Sequence, residues 1–162
     1  DLTGKENLQI YASLVGMSRS QTARYHDEIV DFAELHDYMD EPIRTYSSGM
    51  VMRLAFGVAV HHKTDLLIID EIMAVGDAAF QDKCVHRIRT LQKSGHSLLF
   101  VSHSPVLVAQ FCDTALWLDQ GRVMRVGPSA EVTNAYMEFL SLAPIPAVSP
   151  AEPVPKAKKV RR

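Results

Sequence analysis

The chain has 162 residues, 47% of them apolar and 22% charged, with a net charge of −2. That composition suits a soluble domain with a sizeable core and carries no basic footprint of a nucleic-acid binder. Two cysteines far apart in sequence, Cys84 and Cys112, exclude a thiolate zinc site and argue against a disulfide framework, as fits a reducing cytosol. The apolar runs fall well short of the ~20 residues of a membrane span. No signal peptide opens the sequence. The first residue is Asp1 rather than Met, so a fragment or a displaced start is expected.

In chain order, Thr3 to Glu6 is a T-x-x-E capping box, and a helix is expected from Gly4 to Gly16 with Leu8, Tyr11, Ala12 and Val15 on one face. Ser18 and Gln21 repeat the signal, and a second helix is expected to about Ala33. A loop containing Pro42 leads to Tyr46-Ser47-Ser48-Gly49. Met50 to His61 reads as a buried helix, apolar nearly all round, with Arg53 as its main charge. Leu66 to Ile69 is a short apolar run ending in Asp70-Glu71, the pattern of a parallel strand buried on both faces.

Asp77 is placed to cap a helix to about Lys93, and Gly95 turns the chain into a second strand, His96 to Val101. Ser104 and Pro105 are a good cap and a good first helical residue for a helix to Cys112. Strands at 114–119 and 122–126 around Gln120-Gly121 form a hairpin, and 128–140 a last helix. Beyond Ala143, five prolines and the basic Lys156, Lys158, Lys159, Arg161 and Arg162 read as a disordered tail. The order is α/β with a parallel core.

Three places carry chemistry. Asp70 and Glu71 end a strand, at the edge where open α/β sheets bind ligands; the first acid suits Mg²⁺ and the second an attacking water. A strand ending in solvated acids is an equal alternative. His103, between two serines after the next strand, suits a γ-phosphate contact, or is incidental to a capping loop. Ser47 and Gly49, at the start of a buried helix, suit an anion held by backbone N–H groups, or an ordinary cap.

Together, in this order and spacing, the three resemble the nucleotide-binding subunit of ABC transporters over about Asp1 to Leu140. Tyr46-Ser47-Ser48-Gly49-Met50 falls where that family has Leu-Ser-Gly-Gly-Gln, with Tyr, Ser and Met replacing Leu, Gly and Gln. Asp70 and Glu71 match the Mg²⁺ aspartate and catalytic glutamate, Ala74-Val75-Gly76-Asp77 the D-loop, and His103 the switch histidine. Tyr-Ser-Ser-Gly-Met with Asp-Glu-x-x-Ala-Val-Gly-Asp resembles the polysaccharide, O-antigen and teichoic-acid exporters.

The resemblance implies the C-terminal portion of a RecA-like P-loop NTPase. Residues 1–62 would be part of the helical subdomain with the signature, 63–140 the second half of the catalytic core, and 141–162 the tail. It implies ATP and Mg²⁺ as cofactors. Ser47, Ser48, Gly49 and Met50 would reach ATP held by a second ATPase subunit, most simply an identical one, with Asp70 on Mg²⁺ through water, Glu71 and His103 catalytic, and Asp77 at the dimer interface. An integral-membrane permease would be the other partner, and the subunit would sit on the cytoplasmic face of the bacterial inner membrane.

No G-x-x-x-x-G-K-[ST] loop occurs in the chain. By itself the chain is therefore expected to bind ATP weakly, and its strands to lack a neighbour. Two further readings stand beside the exporter: a soluble ABC ATPase without a permease, and a non-catalytic module that docks on a partner ATPase. A metal-dependent hydrolase using His61 and His62 is disfavoured, because adjacent helical residues point about 100° apart.

Overall fold

The computed structural model describes residues 1–70 and 77–140. The chain falls into two compact units, Asp1–Val101 and Ser102–Arg162.

The first unit begins with α1, Gly4–Leu14. The capping box forms in full: Thr3 Oγ1 accepts from the Glu6 N–H at 3.3 Å, and the Glu6 carboxylate accepts from the Thr3 N–H at 2.7 Å. The Thr3 N–H first, and the Thr3 hydroxyl that lies 3.0 Å from the same oxygen, hold the Glu6 carboxyl below its ordinary value. Ser18 and Gln21 make the same reciprocal pair at the start of α2, Arg19–Ala33. Each box satisfies backbone donors that a helix start leaves without partners. The loop to the next helix contains two 3-10 turns, His36–Tyr38 and Ile43–Thr45, where only an irregular stretch was expected.

The third helix, α3, spans Ser48–His61, two residues longer at its start than expected. Leu8 and Ala12 of α1, Ile29 and Val30 of α2, and Leu54 and Val58 of α3 close a common core. Main-chain bonds tie the 36–46 segment to the beginning of α1: Gly4 N–H to Glu41 O at 3.0 Å, Lys5 N–H to Met39 O at 2.9 Å and Ile43 N–H to Leu2 O at 2.8 Å.

Strand β1, Leu66–Asp70, and strand β2, Ser97–Val101, pair in parallel, with Leu66 opposite Ser97 and Asp70 opposite Val101. Helix α4, Ala78–Lys93, lies between them in sequence and buries Phe80, Cys84 and Ile88. Parallel pairing is as expected, but burial on both faces is not. Leu67 and Ile69 are buried, whereas Ile68 is 61% exposed and Leu66, Leu99 and Val101 are exposed as well. Side chains alternate between faces along a strand, and the described residues cover one face only.

The second unit starts with α5, Pro105–Phe111, capped by Ser104 with Pro105 as its first residue. Strands β3, Thr114–Asp119, and β4, Arg122–Pro128, form the expected antiparallel hairpin. Its turn places both Gln120 (φ 46°) and Gly121 (φ 76°) in the left-handed region. That conformation matches the right-handed twist of the strands and is cheapest for glycine. Helix α6, Ser129–Phe139, packs on the hairpin through Trp117, whose ring centroid lies 5.5 Å from that of Tyr136 and 5.1 Å from that of Phe139.

Both cysteines are free thiols. Burial pushes Cys84 up to about 12, and burial followed by the charge of Asp113 pushes Cys112 upward too. Among the described residues no helix is long and apolar enough to cross a membrane. The expected Pro-rich tail lies outside the described residues.

Candidate functional site

The residues expected to face nucleotide in a partner, Ser47 to Met50, form the first turn of α3. Ser47 is the cap residue, with φ −67° and ψ 159°, and its Oγ accepts from the Met50 N–H at 3.2 Å. The hydroxyl proton is therefore turned away from that bond. Ser47 and Ser48 are exposed, and Gly49 and Met50 are half-buried. A methyl group added to Gly49 would meet only Ser47 Oγ, at 3.8 Å. The fold itself does not demand glycine there, so the space above Gly49 is open to an approaching group. The helix start combines N–H groups, a hydroxyl and positive dipole character, which suits an anion.

Asp70 ends β1 as an exposed carboxylate, in register with Val101 at the end of β2. Glu71 and Ala74-Val75-Gly76 lie outside the described residues. Asp77 caps α4: its Oδ1 accepts from the Phe80 N–H at 2.9 Å, and its Oδ2 pairs with Arg53 Nη2 at 3.0 Å. The Phe80 N–H first, and the Arg53 guanidinium in addition, hold the Asp77 carboxyl below its usual range. His103 belongs to the second unit, in the bend before α5, and is exposed. Beside it the Ser104 N–H donates to Ser102 Oγ at 3.0 Å.

Arg53 has a larger part than a lone charge on a buried helix. Its side chain is only 16% exposed and bridges Asp77 to Glu34, whose Oε2 it meets at 3.0 Å. The guanidinium also lies over the Phe80 ring, 4.7 Å from the centroid. Glu34 gives its other oxygen to Lys83 at 3.0 Å. Helix α3, the end of α2 and the start of α4 are thus joined by one charged chain. Partners 19 and 24 positions away leave no local pattern in sequence. A single arginine on an otherwise apolar helix was the available signal, because such a charge is rarely buried unpaired.

His61 is a core histidine. Its Nδ1 lies 2.7 Å from the Gly57 carbonyl, its ring meets Phe32 edge-on, and burial lowers its pKa from the ordinary 6.5. Among the described residues no three His, Cys, Asp or Glu side chains gather into a metal cage. A hydrated Mg²⁺ held by one carboxylate needs no such cage, and Asp70 fits that requirement. A small apolar groove of about 130 Å³ runs between α3 and β1, lined by Met52, Phe56, Ala59, Leu67 and Ile69 among others. With no polar side chain in its lining it has nothing to hold a polyphosphate.

No protein-family model matches the chain. It is 47% identical over 143 residues to the O-antigen export system ATP-binding protein RfbB of Myxococcus xanthus, covering 88% of this chain and 33% of that protein. It is 40% identical over 139 residues to the teichoic acids export ATP-binding protein TagH of Listeria innocua, covering 86% of this chain and 42% of that protein. The chain thus spans a third to somewhat under half of these two relatives.

Among solved structures, an ATP-binding subunit of an ABC transporter superposes with a TM-score of 0.71 at 22% identity, over 88% of this chain and 57% of that one. A dimeric bacterial ABC transporter cassette superposes with a TM-score of 0.63 at 22% identity, over 79% of this chain and 57% of the other. The fold is therefore a portion of a P-loop NTPase of ABC type, as the family resemblance implied. The chain belongs to the ABC ATP-binding family. Within that family it groups with the ATP-binding proteins of cell-surface polysaccharide export systems.

Proposed function

We propose that the chain is the signature-bearing and Mg²⁺-aspartate-bearing part of an ATPase subunit that powers export of a cell-surface polysaccharide or lipid-linked glycan. The observation that carries this reading is the first turn of α3. Ser47 caps the helix, both it and the first helical residue Ser48 are exposed, and Gly49 leaves room that its own fold does not use. The names of the relatives supply the transport direction and substrate class.

In this reading Ser47, Ser48, Gly49 and Met50 bind ATP held by a second, identical subunit, with Ser47 and Gly49 on its γ-phosphate. Asp70 would hold Mg²⁺ through water, and the ion would supply electrostatic neutralisation of phosphate charge. Glu71 orients the attacking water, His103 donates a hydrogen bond to the γ-phosphate, and Asp77 lies at the subunit interface. Residues 1–62 act as part of the helical subdomain and 63–140 as the second half of the core. An integral-membrane permease is the other partner, with the ATPase on the cytoplasmic face of the membrane.

The test is Glu71→Gln in the protein as the cell makes it. Turnover should fall by about a hundredfold or more, the range of a lost general base, while ATP binding and ATP-dependent dimerisation persist. Full hydrolysis in this variant would remove Glu71 from its role. Co-purification without any permease, together with normal surface glycan in a deletion strain, would remove the export assignment and leave a soluble ATPase.

A further inference from the structure

Tyr46, the residue just before the cap of the signature turn, is 9% exposed, although Thr45 and Ser47 on either side are exposed. Its Oη donates to the Tyr38 carbonyl at 2.6 Å, and its ring stands edge-on to that of Tyr38 with centroids 6.4 Å apart. Its N–H donates to the Ile43 carbonyl at 3.0 Å. The tip of the phenol rests against Gly4, in the first turn of α1. A Cβ at Gly4 would fall 2.0 Å from Tyr46 Oη, 3.0 Å from its Cζ and 3.2 Å from the Cα of Met39.

Glycine is a poor helix former, yet it occupies the first helical position, immediately after the N-cap Thr3 and inside a fully formed capping box. The notch at Gly4 and the phenol that fills it therefore belong together. The walls of the notch are fixed by main-chain bonds from Gly4 to Glu41 and from Lys5 to Met39. Burial first, then the charges of Glu41 and Asp40, push the phenol upward, so it remains a donor at neutral pH.

We propose that Tyr46 and Gly4 are paired positioning residues for the signature turn: the phenol seated in the glycine notch sets where α3 starts, and so where the hydroxyl of Ser47 and the amides of Ser48 to Met50 point. A leucine at this position has neither the hydroxyl nor the reach to fill the notch. The inference rests on the ATP-contacting reading of that turn.

The experiment uses the protein as the cell makes it, with kcat and KM for ATP and the thermal midpoint measured for each variant. Tyr46→Phe keeps the ring and loses the donor; kcat should fall about fivefold, the factor that one ordinary hydrogen bond represents. KM should stay within about twofold, because uniform binding energy is untouched when only the approach of the closed state is misaligned. Gly4→Ala should lower kcat by at least as much, and in a Tyr46→Leu background it should lower kcat little further, because no phenol is left for the added methyl to displace.

Wild-type kcat in Tyr46→Phe, or a Gly4→Ala effect as large in the Tyr46→Leu background as in the wild type, overturns the pairing. So does a fall in turnover that only follows a fall in thermal midpoint, since that is what a stabilising contact alone would give. Gly49→Trp separates the two levels: if it leaves hydrolysis intact, the signature reading itself is wrong and the positioning role falls with it.

Discussion

Within the first unit, α1 to α3 and the β1–β2 pair are built on opposite terms. The helices close their own core: Leu8, Ala12, Ile29 and Leu54 are fully buried by one another and by their neighbours. The strands bury Leu67 and Ile69 but leave Leu66, Ile68, Leu99 and Val101 open. A parallel sheet is ordinarily covered on both faces. The helical part is thus stabilised from within the described residues, whereas the sheet supplies half of a buried structure. The relatives, two to three times longer by the 33% and 42% coverage, show what scale of chain this sheet is found in.

Substitutions on the two regions test the contrast directly. Leu54→Ala should destabilise by about 2–5 kcal/mol, the cost of a cavity in a closed core, read by chemical denaturation. Ile68→Thr, on the open face of β1, should change stability by under ~0.5 kcal/mol. If Ile68→Thr costs as much as Leu54→Ala, that face is covered in solution and the comparison breaks.

An effect smaller than that of Leu54→Ala is expected from Arg53→Met, which keeps the aliphatic cover over Phe80 but drops both carboxylate partners. It should cost about 1–2 kcal/mol, less than a fully buried pair because Glu34 and Asp77 are more than half exposed. An unchanged denaturation midpoint would show that the charged chain between α2, α3 and α4 contributes nothing. Smaller still, Ser18→Ala should lower stability by about 1 kcal/mol through loss of the α2 cap, and hydrogen exchange should rise in the first turn of α2 alone.

Acid sharpens the same contrast. His61 is buried in the helical part and its folded pKa is lowered, so the unfolded chain binds its proton first. Its contribution is complete above the ordinary value of 6.5 and is lost as pH falls from there to the folded pKa. Asp77 acts lower: its depressed carboxyl contributes above the ordinary 3.8, and that contribution disappears as pH drops through the folded value. Stability measured between pH 7 and 5.5 should therefore decline less in His61→Phe than in the wild type. An identical slope would mean that His61 does not report the acid sensitivity.

The sequence was most legible where a signal and its partner lie within one turn. Thr3 with Glu6, Ser18 with Gln21, Asp77 before α4 and Ser104-Pro105 all cap the helices they were expected to cap, and Ser47 makes the cap that was one of its two readings. The turn at Gln120-Gly121 was equally plain. Misread or missed features depend on residues far away in sequence. The exposed face of β1 cannot be told from a covered one by a run of apolar letters. The notch at Gly4 matters only because Tyr46 folds back upon it, and Arg53 only because Glu34 and Asp77 come to it. Of the candidate site, the signature turn, Asp70, Asp77 and His103 were readable as motifs, while the supports behind them were not.

The two native thiols bear on how the signature turn can be observed. Thiolate is the species that reacts with maleimides and disulfides, and both Cys84, pushed up to about 12, and Cys112 hold their protons tightly. A cysteine introduced at exposed Ser48 would ionise more readily than either and be labelled first. A fluorophore or spin label could therefore report on that turn against a quiet wild-type background, with no native cysteine removed.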